Sequence, residues 1–194
     1  MAFNTQLSLS STSSTASIYS SSLQFNSPTA DIVFLSSDGV TFHLHSKNLE
    51  PTTGALPGIA LPTKDPDEPV QLIETAETLA ILFQYSYPQR HPELSGMEFD
   101  VIAPLAEAVE KYKVFPAQKA CCMVMKSYLY ERPAEVLAYA GKYKYTELAD
   151  EAAPLLLTMP IEAIVKVLPP TLVVSWVCVT LFQSARITVV SLTT

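Results

Sequence analysis

Glycine is scarce in this chain: five in 194 residues, none adjacent. A phosphate cradle built from backbone N–H groups needs clustered glycines, so P-loop and G-x-G-x-x-G chemistry is excluded. Cysteine is rarer still, with Cys121, Cys122 and Cys178 alone. The first two are adjacent, where a mutual bond would be strained, and no C-x-x-C or Cys/His metal spacing occurs. Free thiols in a reducing compartment are the simplest reading. Basic residues are few and scattered: 12 Lys and Arg against 19 Asp and Glu, a net charge of −7. Nucleic-acid binding through a basic face is therefore not expected. H-E-x-x-H and G-x-S-x-G are missing as well, which removes the common metalloprotease and hydrolase signatures. No cofactor is expected. The first thirty residues carry no charge, so neither a secretory n-region nor an arginine-rich presequence is read there. An intracellular protein, in cytoplasm or nucleus, is the expectation.

What is present is apolar residue content of 48%, enough for a sizeable core. Eleven of the fifteen residues from Ser8 to Ser22 are Ser or Thr. Such composition buries too little apolar area to offset ordering entropy, so residues 1–28 read as a disordered tail open to phosphorylation.

The most informative run is DIVFLSSDGVTFHLHSKNLE, from Asp31 to Glu50. DIVFL reads as a strand, and Ser36 to Gly39 as a turn with the Asp-Gly hairpin signal. In VTFHLH, Val40, Phe42 and Leu44 point one way and Thr41, His43 and His45 the other. Ser46 then stands at the cap position of a helix. Residues 51–69 hold five prolines and two glycines and read as an irregular connection with a short turn at 56–60.

Val70 to Ile73 reads as a short strand. Thr75 caps a helix that carries Leu79, Leu82 and Phe83 toward Tyr87. Ser95-x-x-Glu98 forms a capping box for a helix running to about Lys113. Pro104 either opens that helix late or kinks it. Pro116 and Pro133 start two further helices, over 117–130 and 134–145. Thr146 caps another over 147–157, and a short one covers 161–168 until Pro169-Pro170. Strands first and helices after predict an α+β fold: a small sheet flanked by short helices, then an all-α helical extension.

An Asp opening an apolar strand, a hairpin, F-x-x-H and a Leu four residues on resemble the start of a BTB (POZ) domain. VQLIETAETLAILFQYSYP resembles that family's strand and the helix leading to a Tyr-containing turn. AEAVEKYKVFPAQKACCMVM resembles its helix pair, one helix ending K-Y-x-V and the next carrying a Cys. P-Q-R-H-P after the tyrosine looks most like fungal members. The resemblance covers about Ser27 to Tyr130, and more weakly the helices to Leu168. It implies a non-enzymatic protein-interaction module, an adaptor or scaffold that self-associates as an isologous homodimer through its first strand and helix. The residues that carry it are Asp31, Phe42, His45 and Leu49 at the opening, with Phe83 and Tyr87 in the core beneath. His45 would be a structural histidine under the first helix. The domains expected are 1–28 tail, 29–130 BTB/POZ-like, 131–170 helical extension and 171–194 apolar tail.

The chain departs from the family at PTTGALPG after Leu49, where a Ser and a Phe precede the next helix. The apolar-x-Glu motif of members that bind a cullin-type ubiquitin ligase is absent. Other readings stay open. His43 and His45, at i and i+2, are two metal ligands in search of a third, with His91 unplaced. An enzyme would need such groups to converge in a cleft. Cys122 reads as a buried helix cysteine rather than a nucleophile. The tyrosines Tyr128, Tyr130, Tyr139, Tyr143 and Tyr145 either pack adjacent helices or line a partner groove. From Val167 onward only Arg186 is charged. The apolar stretch TLVVSWVCVTLF is shorter than the roughly 20 residues a spanning helix needs, so membrane anchoring is not the favoured reading. The chain changes character after Trp176, and residues 175–194, SWVCVTLFQSARITVVSLTT, are expected to lack a packing partner and to favour aggregation.

Overall fold

A computed structural model describes residues 25–59, 68–174 and 176–177. The Ser/Thr-rich run of residues 1–24 and the apolar run from Cys178 to the end lie outside the described residues.

Strand β1 (Ile32–Leu35) and strand β2 (Thr41–Leu44) pair antiparallel, with Phe34 opposite Phe42. The turn between them closes through Gly39 N–H to Ser36 O at 3.1 Å, and Gly39 sits at φ +82°, where a side chain would be strained. Strand β3 (Val70–Gln71) joins β1 in parallel, so the sheet order is β2-β1-β3. Alternation sends Phe34, Phe42, Leu44 and Val70 inward. The strand is half as long as the four residues expected: Leu72 still donates to Leu35 O, but Ile73 swings out and is 78% exposed.

Helix α1 (Ser46–Leu49) is one turn. The proline-rich residues from Pro51 to Ile59 form turns and no helix. They are held by backbone bonds to the end of the next long helix, Ala55 N–H to Tyr112 O at 3.0 Å and Gly54 N–H to Lys113 O at 3.1 Å. Gly58 has φ +80°, and a Cβ there would meet Ile32 and Val70 at 2.9 Å.

Helix α2 (Ala76–Gln84) buries Leu79, Leu82 and Phe83 against the sheet's inner face, and Thr75 caps it as expected. Helix α3 (Phe99–Tyr112) packs against α2 and contains Pro104 in its interior, so it neither starts late nor breaks there. Pro104 is the sixth residue of the helix. Its missing N–H leaves only the Asp100 carbonyl, in the first turn, without its usual intrahelical donor. The capping box does not form: Glu98 holds the cap position without a side-chain bond, and Ser95 hydrogen-bonds Glu93 instead. Helix α3 ends on Lys113 in the left-handed region, and helix α4 (Phe115–Ser127) begins two residues on.

Contacts divide the chain inside α4, into Met1–Cys121 and Cys122–Thr194. Thirteen acidic and six basic residues fall in the first unit and six of each in the second, so the whole net charge belongs to the first.

The second unit holds helix α5 (Pro133–Tyr143), helix α6 (Thr146–Ala152), a 3-10 helix (Ala153–Thr158) and helix α7 (Ile161–Val167). Its core is Val136, Ala140, Leu148, Ala152, Leu156 and Ile164. Tyr145, not Thr146, occupies the cap position of α6, because α5 ends at Tyr143 with Lys144 left-handed. Helical structure resumes at Pro170, whose fixed φ suits a first turn.

Leu172 and Trp176 are both packed, and at Trp176 this corrects the expectation of no packing partner. A Cβ on Gly141 would meet Leu172 at 2.7 Å, and the Trp176 indole donates to Ala153 O at 3.0 Å. Among the described residues no helix is long and apolar enough to cross a membrane.

Candidate functional site

The residues singled out by sequence converge on the mouth of the hairpin. His45 ends β2's run and takes the cap position of α1, displacing Ser46, which is the first helical residue. His45's own side chain makes no cap bond. The cap comes instead from β1's end: the Asp31 carboxylate accepts from Ser46 N–H at 2.7 Å and Ser46 Oγ at 2.5 Å. The Ser46 hydroxyl bond lowers the Asp31 carboxyl below its ordinary value, against a smaller opposing effect of burial. Antiparallel pairing makes this possible, because it sets Ile32 opposite Leu44 and so places Asp31 beside the strand's exit.

His45 faces two hydroxyls. Its Nδ1 lies 3.2 Å from Tyr87 Oη and its Nε2 3.0 Å from Thr29 Oγ1, while its backbone N–H donates to Tyr87 Oη at 3.0 Å. Tyr87 is half-buried rather than in the core proper, since its hydroxyl must reach this junction. Its ring lies 5.4 Å from Phe25. Phe25 in turn meets Phe42 at 6.3 Å and Phe83 at 6.1 Å, and Phe83 meets Phe34 and Phe42 at 5.4 Å each. Leu49 is fully buried beneath. Phe25 falls within the segment read as a disordered tail through residue 28. It is 2% exposed, and Asn26 bridges to His43 along β2's outer edge. A lone aromatic in a polar run carries no periodicity, which is why the sequence did not reveal it.

Two further junctions escaped sequence reading. Asp38, read only as a turn residue, accepts from Ala76 N–H at 2.9 Å and so helps open α2. Burial raises its carboxyl's pKa, but bonds from Ser36 and Ala76 outweigh that and the net shift is downward. Glu74 accepts from Tyr112 Oη at 2.5 Å and from Lys111 Nζ at 2.8 Å. Burial first, and then Glu74, push the Tyr112 phenol well above its ordinary range. Tyr85 moves the same way, to about 12, through burial and then the neighbouring Cys121 and Glu93.

The remaining candidates are dispersed. His91 packs on Tyr85, with ring centroids 4.7 Å apart, away from any bond to His43 or His45. Among the described residues no group of three or more His, Cys, Asp or Glu could hold a metal ion. Cys121 is the buried cysteine, whereas Cys122 is half-buried, a correction that follows from where the face of α4 falls. The tyrosines split between both readings. Tyr139 is buried against Tyr143 and Tyr145, at 5.2 and 5.6 Å, while Tyr130 is 83% exposed. The patch expected on the first helix is absent, because the only apolar residue of α1, Leu49, points inward. No protein-family model matches this chain, and no curated protein does either.

Proposed function

We propose that the first unit is a BTB-type, non-enzymatic protein-interaction module that self-associates and serves as an adaptor or scaffold. One observation carries the reading. The polar residues of the resemblance meet at two adjacent positions of the chain: Tyr87 Oη bonds His45, although it lies 42 positions away, and the Asp31 carboxylate bonds the next residue, Ser46. Phe42, Leu49 and Phe83 form the core below it. The order hairpin, helix, strand, helix, helix pair also follows the resemblance along the chain. The His45 and Tyr87 side chains serve each other and the backbone, and the Asp31 carboxylate serves the start of α1, a binding scaffold's economy rather than a reaction centre's.

Self-association is assigned to the sheet's outward face. Val33 and Leu35 lie there, half-exposed, and Ile73, just past the end of β3, is 78% exposed. Leaving an apolar patch in water costs about 25 cal/mol per Å². Light scattering on the full chain tests this. A dimer that grows in between about 1 and 50 μM is expected, at the weak end of the micromolar-to-picomolar affinities that standard-size interfaces show. Ile73→Glu should return it to monomer without lowering the melting temperature. A wild-type monomer throughout that range removes self-association.

A further inference from the structure

The second unit carries an open cleft of about 260 Å³ between the α4–α5 connection and the last turn of the 3-10 helix. Tyr130, Glu131, Pro133, Leu155, Thr158 and Met159 line it. It is smaller than the roughly 300–1,000 Å³ of sites that enclose a whole small molecule, so it suits one side chain of a larger partner.

Its chemistry is one-sided. Tyr130 presents an aromatic ring that is 83% exposed. Glu131 makes no ion pair among the described residues, and the adjacent cation, Arg132, pairs with Glu135 at 3.5 Å. Thr158 spends its hydroxyl proton on Leu155 O at 3.0 Å, so toward the cleft its oxygen can only accept. Pro133, Leu155 and Met159 supply apolar walls, the thioether adapting to an irregular guest. A ring face, a carboxylate and an accepting hydroxyl around apolar walls complement a donor-only cation on an aliphatic stem. An anion such as phosphate would meet repulsion from Glu131.

We propose that this cleft binds an arginine or lysine side chain from an extended segment of a partner protein. The inference concerns the second unit alone and does not depend on the self-association of the first.

The test uses the full chain and two capped heptapeptides, one with a central arginine between alanines and one with citrulline, its uncharged isostere. Binding is followed by ligand-observed NMR. An exposed ion pair together with a cation–π contact corresponds to a preference of about tenfold for arginine. Glu131→Gln should reduce the preference to the few-fold that the Tyr130 ring alone supplies, and Tyr130→Ala should weaken the arginine peptide several-fold. Glu131→Lys should shift the preference to a peptide with central glutamate. Both positions are exposed, so melting temperatures should stay within a degree or two of wild type. Equal binding of the two peptides, no binding of either, or a preference that Glu131→Gln leaves undiminished would overturn the proposal.

Discussion

Asp31 shows how much one carboxylate can hold at the end of a strand. It serves two donors on a helix fifteen residues away, so Asp31→Ala should cost about 1 kcal/mol, the usual worth of a cap, with its exposure limiting the loss. The pH dependence follows from its lowered pKa. The contribution is complete above the ordinary value of 3.8 and disappears as pH falls through the lower folded value. Denaturant midpoints measured from pH 6 to pH 2 should therefore fall less steeply in Asp31→Asn than in wild type. Tyr87→Phe keeps the ring against Phe25 but strands the His45 N–H and ring nitrogen, at a cost of about 1–2 kcal/mol by chemical unfolding. Asp31 and His45 were singled out in sequence by the family resemblance of the run that holds them. That Tyr87 partners His45 was not legible, since a hydroxyl 42 positions away leaves no local pattern.

Among the elements, the segment at Phe25 and the helix after Pro170 are the two places where composition misled. A chain starting at Phe25 should melt like the full protein, whereas one starting at Pro28 should lose about 3 kcal/mol, the scale of removing a buried aromatic ring. Equal stability of the two would mean Phe25 is not part of the core. For the later helix, Gly141 and Leu172 offer a double-mutant cycle. In a free helix Gly141→Ala would stabilise by about 0.5–1 kcal/mol. Here the added Cβ meets Leu172 at 2.7 Å, so the gain should vanish in wild type and return in the Leu172→Ala background. A full gain in both backgrounds would show that Leu172 is not seated there. Amphipathic period and proline punctuation located the helices. The caps at Ser46, Ser95 and Thr146 were misassigned, because a capping side chain is a local signal that a tertiary acceptor or a left-handed residue can displace.

The molecule as a whole combines an acidic first unit with a second unit of balanced charge. Two phenols of the first unit titrate at high pH. Tyr112 and Tyr85 both ionise later when folded than when unfolded. A raised folded pKa gives stability that is complete below the ordinary 10.0 and is lost as pH rises above it. Denaturant midpoints should therefore decline between pH 9.5 and 11.5, and Tyr112→Phe should flatten that decline. The same variant should cost about 1–2 kcal/mol at pH 7, since Glu74 would keep only Lys111. A decline unchanged by the substitution would remove Tyr112 from the account.

The sequence by itself determined the α+β order, the hairpin with its Asp-Gly turn, the inward face of β2, and the helices that prolines open. All of these depend on neighbours within a few positions, where backbone sterics and period decide. Only the tertiary structure decided that Phe25 completes the aromatic core and that Asp31 caps a helix. It also decided that Glu74 holds Tyr112 and that Tyr130 and Glu131 share a cleft with the 3-10 helix. Those pairings depend on surfaces brought together by burial of the core. Apolar burial is proportional to area and blind to direction, so which distant polar groups it brings within bonding reach is settled only when the chain has packed.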